Sequence, residues 1–163
     1  KLWPMTKFPV LQDGDRAIPE SSVVLEYVDR EHRLIPADPA RALECRLRDR
    51  IYDAYVHVQM QKIVGDHLRP ADARDPFGVA HARAQLELAY SIVDDHARTG
   101  PWSLGDDFTL ADCSAFPALY YANRVAPLAR WTHAASYLAR LTARPSIARV
   151  LREAQPYMDM FPA

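Results

Sequence analysis

One hairpin signal limits what this chain can fold into. Asp13-Gly14 lies between two short apolar runs, Phe8-Pro9-Val10-Leu11 and Ala17-Ile18, and Asp-Gly in that setting is a two-residue hairpin turn. Nothing after residue 32 reads as a further strand. A lone pair of strands is only marginally stable in water. The sequence therefore predicts a small hairpin that needs another surface to lean on, and a remainder that must build its core from helices. Hydrophobic residues make up 49% of the 163, which is enough for a sizeable core.

The remainder carries helical spacing throughout. Ser21 to Asp29 reads as a helix with Val24, Leu25 and Val28 on one face, and residues 33–39 read as a linker. Beyond it, Leu43, Leu47, Ile51, Ala54 and Val58 recur at intervals of 4, 4, 3 and 4, and Val79, Ala82, Leu86, Ala89 and Val93 at 3, 4, 3 and 4. Both rows are amphipathic stripes, and both are expected to face a helical core. Residues 69–78, with Pro70, Pro76 and Gly78, connect the two long helices. Shorter helices are predicted near 109–124, 132–143 and 145–155.

Charge and cysteine use exclude several classes of function. A net charge of −1 gives no basic excess for a nucleic-acid partner. No run of apolar residues is long enough to span a membrane, and no signal peptide is visible. Cys45 and Cys113 lie far apart and form no C-x-x-C pair, so a reducing cytoplasm is the expected setting. The six histidines show no metal-ligand spacing, and no metal is expected.

Phe108-Thr109-Leu110-Ala111-Asp112-Cys113 is a helix start. Thr109 fits the N-cap, and Asp112 three residues on completes a capping box, with Phe108 and Cys113 placed as a hydrophobic staple. Pro117, inside the helix that follows, removes one backbone hydrogen bond and predicts a kink. Thr109→Ala is expected to destabilise this region, and Ser103→Ala to matter less. None of these residues is assigned any chemistry, and Cys113 is expected to be a packing residue.

Phe8-Pro9-Val10-Leu11, then Asp13-Gly14, then Glu20-Ser21-Ser22 and a helix through Leu25-Glu26-Tyr27-Val28-Asp29 together resemble the glutathione S-transferase family. The helical remainder with Phe-Thr-Leu-Ala-Asp, and the stretch from Arg144-Pro145-Ser146 to Tyr157-Met158-Asp159-Met160-Phe161-Pro162, resemble its bacterial members. Each motif alone is common, whereas their order and spacing are specific. The resemblance implies a mainly α fold: a truncated thioredoxin-like α/β domain over 1–32, a linker over 33–39, and an all-α C-terminal domain over 40–163. It also implies that the opening β-α-β unit, with the family's thiol-activating Tyr, Ser or Cys, is missing here. No residue of this chain is assigned the catalytic role.

The resemblance implies glutathione as co-substrate and a small hydrophobic electrophile as its acceptor, in a homodimeric detoxification enzyme. The expected glutathione contacts are Lys7, Phe8, Pro9, Glu20 and Ser21. On the residues alone, Pro9 is an ordinary strand-initiating proline, and Glu20-Ser21 is an acid and a hydroxyl at a helix start. The family pattern adds a cis Phe8–Pro9 bond, whose main chain pairs with the cysteinyl backbone of glutathione. It places the γ-glutamyl carboxylate on Ser21 at the helix N-terminus, the γ-glutamyl ammonium against Glu20, and the glycyl carboxylate near Lys7. Tyr52, Tyr55, Tyr120 and Tyr121 are open between core and co-substrate pocket. Two other readings share the scaffold: a non-catalytic interaction module, and a glutathione-dependent isomerase or reductase.

Overall fold

A computed structural model describes residues 2–162; Lys1 and Ala163, the outer ends of the two expected domains, lie outside the described residues. The chain opens with an antiparallel hairpin, β1 (Val10–Asp13) and β2 (Arg16–Pro19), followed by α1 (Ser21–Val28). Helices follow to the end: α2 (Pro39–Arg50), a π-helical stretch (Ile51–His57), α3 (Val58–His67), α4 (Pro76–His96), α5 (Leu110–Val125), α6 (Thr132–Ala143) and α7 (Pro145–Ala154). The two turn residues are Gly14 and Asp15, one position on from the expected Asp13-Gly14, because Asp13 still pairs with Arg16; Gly14 has a φ of 57°, which glycine adopts without penalty. The two strands pair only with each other among the described residues, and the hairpin leans on α1.

The helix starts follow local chemistry. Asp38 accepts the Arg41 N–H at 2.9 Å and Pro39 takes the first helical position, so α2 starts one residue ahead of the expected 40. Asp75 and Pro76 do the same for α4, which begins inside the expected connection. Asp75 accepts the Gly78 N–H at 2.8 Å, and a Cβ at Gly78 would lie 2.1 Å from the Asp75 carboxylate, so a side chain there would push the capping carboxylate aside. α5 starts with the capping box closed in both arms. The Asp112 carboxylate takes the Thr109 N–H at 2.8 Å and its hydroxyl at 3.0 Å. α5 then runs on through Pro117.

α5 is the centre of the helical body, packed against α2, the π-helical stretch, α3 and α6. Its buried Ala115, Leu119 and Ala122 meet a core that includes Tyr52, Val56, Leu86, Tyr90, Tyr137 and Leu141. The α4 stripe is buried as the spacing predicts at Ala82, Leu86, Ala89 and Val93, while its first member, Val79, is only half-buried. The α2 stripe is not. Leu43 is 71% exposed and Leu47 52%, Ala54 and Val58 also face outward, and only Ile51 of the predicted row is buried. The inward row is Cys45, Asp49, Tyr52, Val56, Met60 and Ile63. Both rows have helical spacing. The polar Asp49 hides the true one, which runs at an even spacing of about 3.6 residues through the π-helical stretch.

A second correction concerns Ser103. It is buried, its N–H donates to Asp112 Oδ1 at 2.7 Å, and its hydroxyl lies 3.1 Å from that of Tyr52. Asp112 also accepts the Tyr137 hydroxyl at 2.6 Å. Ser103 is thus one corner of a buried polar cluster around the cap, and losing its hydroxyl takes one buried partner from Tyr52 while its N–H bond to Asp112 remains.

Candidate functional site

The hairpin register gathers the expected contact residues at its open end. Val10 pairs with Pro19 as the last rung of the ladder, so the chain just before β1, Phe8-Pro9, and the chain just after β2, Glu20-Ser21, emerge side by side. The Phe8–Pro9 peptide is cis. Lys7, Phe8, Pro9, Glu20 and Ser21 are all exposed, Phe8 at 94%. Lys7 sits in the segment ahead of the hairpin and makes no hydrogen bond or ion pair among the described residues.

Glu20 is the N-cap of α1, and its carbonyl accepts the Val24 N–H at 2.9 Å. Its backbone sits at φ 70°, ψ 117°. A non-glycine residue held there costs on the order of 1–3 kcal/mol and persists only where its surroundings demand it. Its side chain does not cap the helix. The N–H groups of Ser21, Ser22 and Val23 and the Ser21 hydroxyl have no acceptor or donor partner among the described residues. The end of α1 therefore presents free N–H groups and a hydroxyl to solvent, at the positive pole of the helix, with a free carboxylate one residue away. That arrangement can hold a carboxylate and an ammonium on adjacent atoms.

Sequence reasoning missed what fixes α1. Ser22 Oγ donates to Asp49 at 2.8 Å and 3.0 Å to its two oxygens, and Ser114 of α5 donates to Asp49 Oδ1. Arg50 lies along the same carboxylate at 3.0–3.1 Å and reaches Ser22 Oγ at 3.2 Å. Asp49 is buried. The start of α1 is thereby bonded to α2 and, through Asp49, to α5; Ser22 and Ser114 lie 27 and 65 residues from Asp49 in sequence. The one available signal was an acid at position 49 inside an apolar row. Past α1, Leu34 N–H donates to Asp29 at 2.7 Å, and the Leu34 carbonyl accepts the Leu110 N–H at 2.8 Å, which pins the linker to the start of α5.

The tyrosines divide. Tyr52 is core, its hydroxyl pushed up to about 12 by burial. Tyr55 is on the surface. Tyr120 and Tyr121 are half-buried in a row of rings on α5, with Phe116–Tyr120 at 5.5 Å, Tyr120–Tyr121 at 5.4 Å and Tyr121–Phe161 at 5.0 Å. Cys113 is half-buried, and burial, then the neighbouring Asp112 charge, push its thiol up to about 12, which makes it a poor nucleophile. Among the described residues no cluster of three His, Cys, Asp or Glu is placed to hold a metal ion, and no helix is long and apolar enough to cross a membrane.

The family description "glutathione S-transferase, C-terminal domain" matches residues 71–144. A glutathione S-transferase of Pseudomonas putida is 24% identical over 168 residues, covering 97% of this chain and 76% of that protein. A probable maleylacetoacetate isomerase of Vibrio cholerae is 25% identical over 166 residues, with 96% and 76% covered. A solved glutathione S-transferase of Methylobacterium radiotolerans, in complex with glutathione sulfonate, superposes with a TM-score of 0.79 at 26% identity, covering 91% of this chain and 73% of that one.

Proposed function

Because the chain belongs to the glutathione S-transferase family, we propose that it binds glutathione at the open end of the hairpin and carries its thiol to a hydrophobic electrophile. The observation that carries this reading is the convergence of Phe8-Pro9 and Glu20-Ser21 on one edge, beside unpaired N–H groups at the start of α1. Ser21 and those N–H groups receive the γ-glutamyl carboxylate, and Glu20 receives the ammonium. The Phe8 main chain lies along the cysteinyl backbone, and Lys7 faces the glycyl carboxylate. The glutathione bound in solved relatives is consistent with it.

In this reaction glutathione supplies a thiol that loses its proton; the thiolate forms a C–S bond as the electron pair moves onto the electrophile or its leaving group. A free thiol is only a few per cent ionised at neutral pH. This chain's residues anchor and orient the tripeptide, and none of them is assigned the activating step. The units are a thioredoxin-like portion over 1–32, a linker over 33–39 and a helical domain over 40–163. The protein is a cytoplasmic homodimer in detoxification. Leu43 and Leu47 of α2 and Leu88 and Ile92 of α4 are exposed apolar side chains that a second copy would cover, which sedimentation would test. The Vibrio relative favours one alternative, glutathione-dependent isomerisation, on the same anchor.

Calorimetric titration with glutathione tests the anchor. Glu20→Ala and Ser21→Ala should each weaken binding by about tenfold or more, since a hydrogen bond to a charged group is worth about 1.5–3 kcal/mol and 1.4 kcal/mol is tenfold. Wild-type affinity in both variants would leave Glu20 and Ser21 as a helix start only, and the interaction-module reading would take precedence.

A further inference from the structure

A cleft of about 240 Å³ lies where α3, the start of α4 and the end of α5 meet. Ile63, Val64, Val79 and Val125 form apolar walls. Three arginines from three different segments also line it: Arg74 before α4, Arg83 on α4 and Arg124 on α5. None of the three forms an ion pair among the described residues, whereas Arg69 in the same connection pairs with Asp66 at 3.6 Å. Asp66 is the one carboxylate on the cleft, and it is already engaged by Arg69 and by the Asp75 N–H at 2.6 Å. A chain with a net charge of −1 thus places three uncompensated cations around one apolar hollow.

The arginines are held in place by contacts that leave donors free. Arg83 Nη1 donates to the Val125 carbonyl at 2.8 Å, and Arg74 Nη2 to the His67 carbonyl at 3.4 Å. Arg124 lies over the Phe161 ring, 5.3 Å from its centroid. Each guanidinium has five N–H donors in a planar fork that matches a carboxylate. The Phe116–Tyr120–Tyr121–Phe161 row runs along α5 to this point. Ser114, bonded to the Asp49 network under α1, is ten residues back from Arg124, about 15 Å along the helix.

We propose that this cleft binds the carboxylate of a small apolar acid, at a place separate from the glutathione anchor and independent of the transferase reading. The arginine forks take the carboxylate, and the aliphatic walls take the apolar body. A neutral ligand of the same shape meets the walls but leaves the forks unpaired.

The test uses the 163-residue chain with 4-phenylbutyrate, its neutral amide and inorganic phosphate as probes, followed by calorimetry. The acid should bind at least tenfold more tightly than the amide or phosphate. In the Arg83→Gln, Arg124→Gln double variant the acid should lose about tenfold while the amide is unchanged, and Arg140→Gln, outside the cleft, should match wild type. Equal binding of acid and amide on the unaltered chain overturns the proposal even if the double variant fails to fold. Phosphate binding as strong as the acid also overturns it, since a bare anion site needs no apolar walls. Glu20→Ala separates the two readings: it should weaken glutathione and leave the acid untouched. Charge-dependent acid binding by a chain that ignores glutathione would retain the cleft and remove the transferase reading.

Discussion

Asp49→Ala should be the most damaging single change near the candidate site. The carboxylate is 3% exposed and holds Ser22, Ser114 and Arg50 at once. Each hydroxyl bond to a charged acceptor is worth about 1.5–3 kcal/mol net. The low end is appropriate for these part-buried donors, so the two contribute about 3 kcal/mol. Arg50 is half exposed, and solvent screening limits its share to about 0–1 kcal/mol. The expected loss is about 3–4 kcal/mol, a large part of the 5–15 kcal/mol that holds a typical domain. At about 2–4 °C per kcal/mol for a chain of this size, the midpoint should fall by roughly 6–16 °C. Asp49→Asn keeps the shape and one acceptor and should lose about half as much. Thermal and urea unfolding followed by circular dichroism measure the loss. Glutathione titration of Asp49→Asn reads the consequence at the start of α1, which Ser22 fixes. A midpoint within 2 °C of wild type for Asp49→Ala would refute the reasoning, because it would mean that the network carries no net stability.

Three further outcomes are expected. Thr109→Ala should cost about 0.5–2 kcal/mol, and Asp112→Asn more, because four donors converge on that buried carboxylate; urea midpoints at constant slope check both. Ser103→Ala should cost about 0.5–1.5 kcal/mol, the net worth of one hydrogen bond, because it removes one of the buried partners of the Tyr52 hydroxyl and leaves Tyr137, and no measurable change in the urea midpoint would show that this corner of the cluster is dispensable. The Cys113 thiol should react slowly with a disulfide reagent at pH 8 in the folded chain and rapidly in urea. Its pKa is raised on folding, so its stabilising share is complete below the unfolded value of about 8.5 and is lost as pH rises toward about 12. Equal reaction rates in folded and unfolded chains would place the thiol in solvent.

The sequence by itself determined features that need only neighbouring residues. Asp13-Gly14 sets the hairpin to within one position, Thr109 and Asp112 start α5 three residues apart, and the Ala82–Val93 row buries as its spacing predicts. The order of Phe8-Pro9 and Glu20-Ser21 around the hairpin also brings them together, because a two-stranded register leaves them nowhere else to emerge. Tertiary structure decided the rest. Two rows on α2 have the same period, and periodicity cannot say which one meets a partner. The row containing Asp49 turned inward because Ser22 and Ser114 satisfy its carboxylate, and both are distant in sequence. Leu43 and Leu47 were left outside as a consequence. The arginines of the cleft lie on three segments at positions 74, 83 and 124, and only the packing of α5 against the α3–α4 hairpin makes them neighbours.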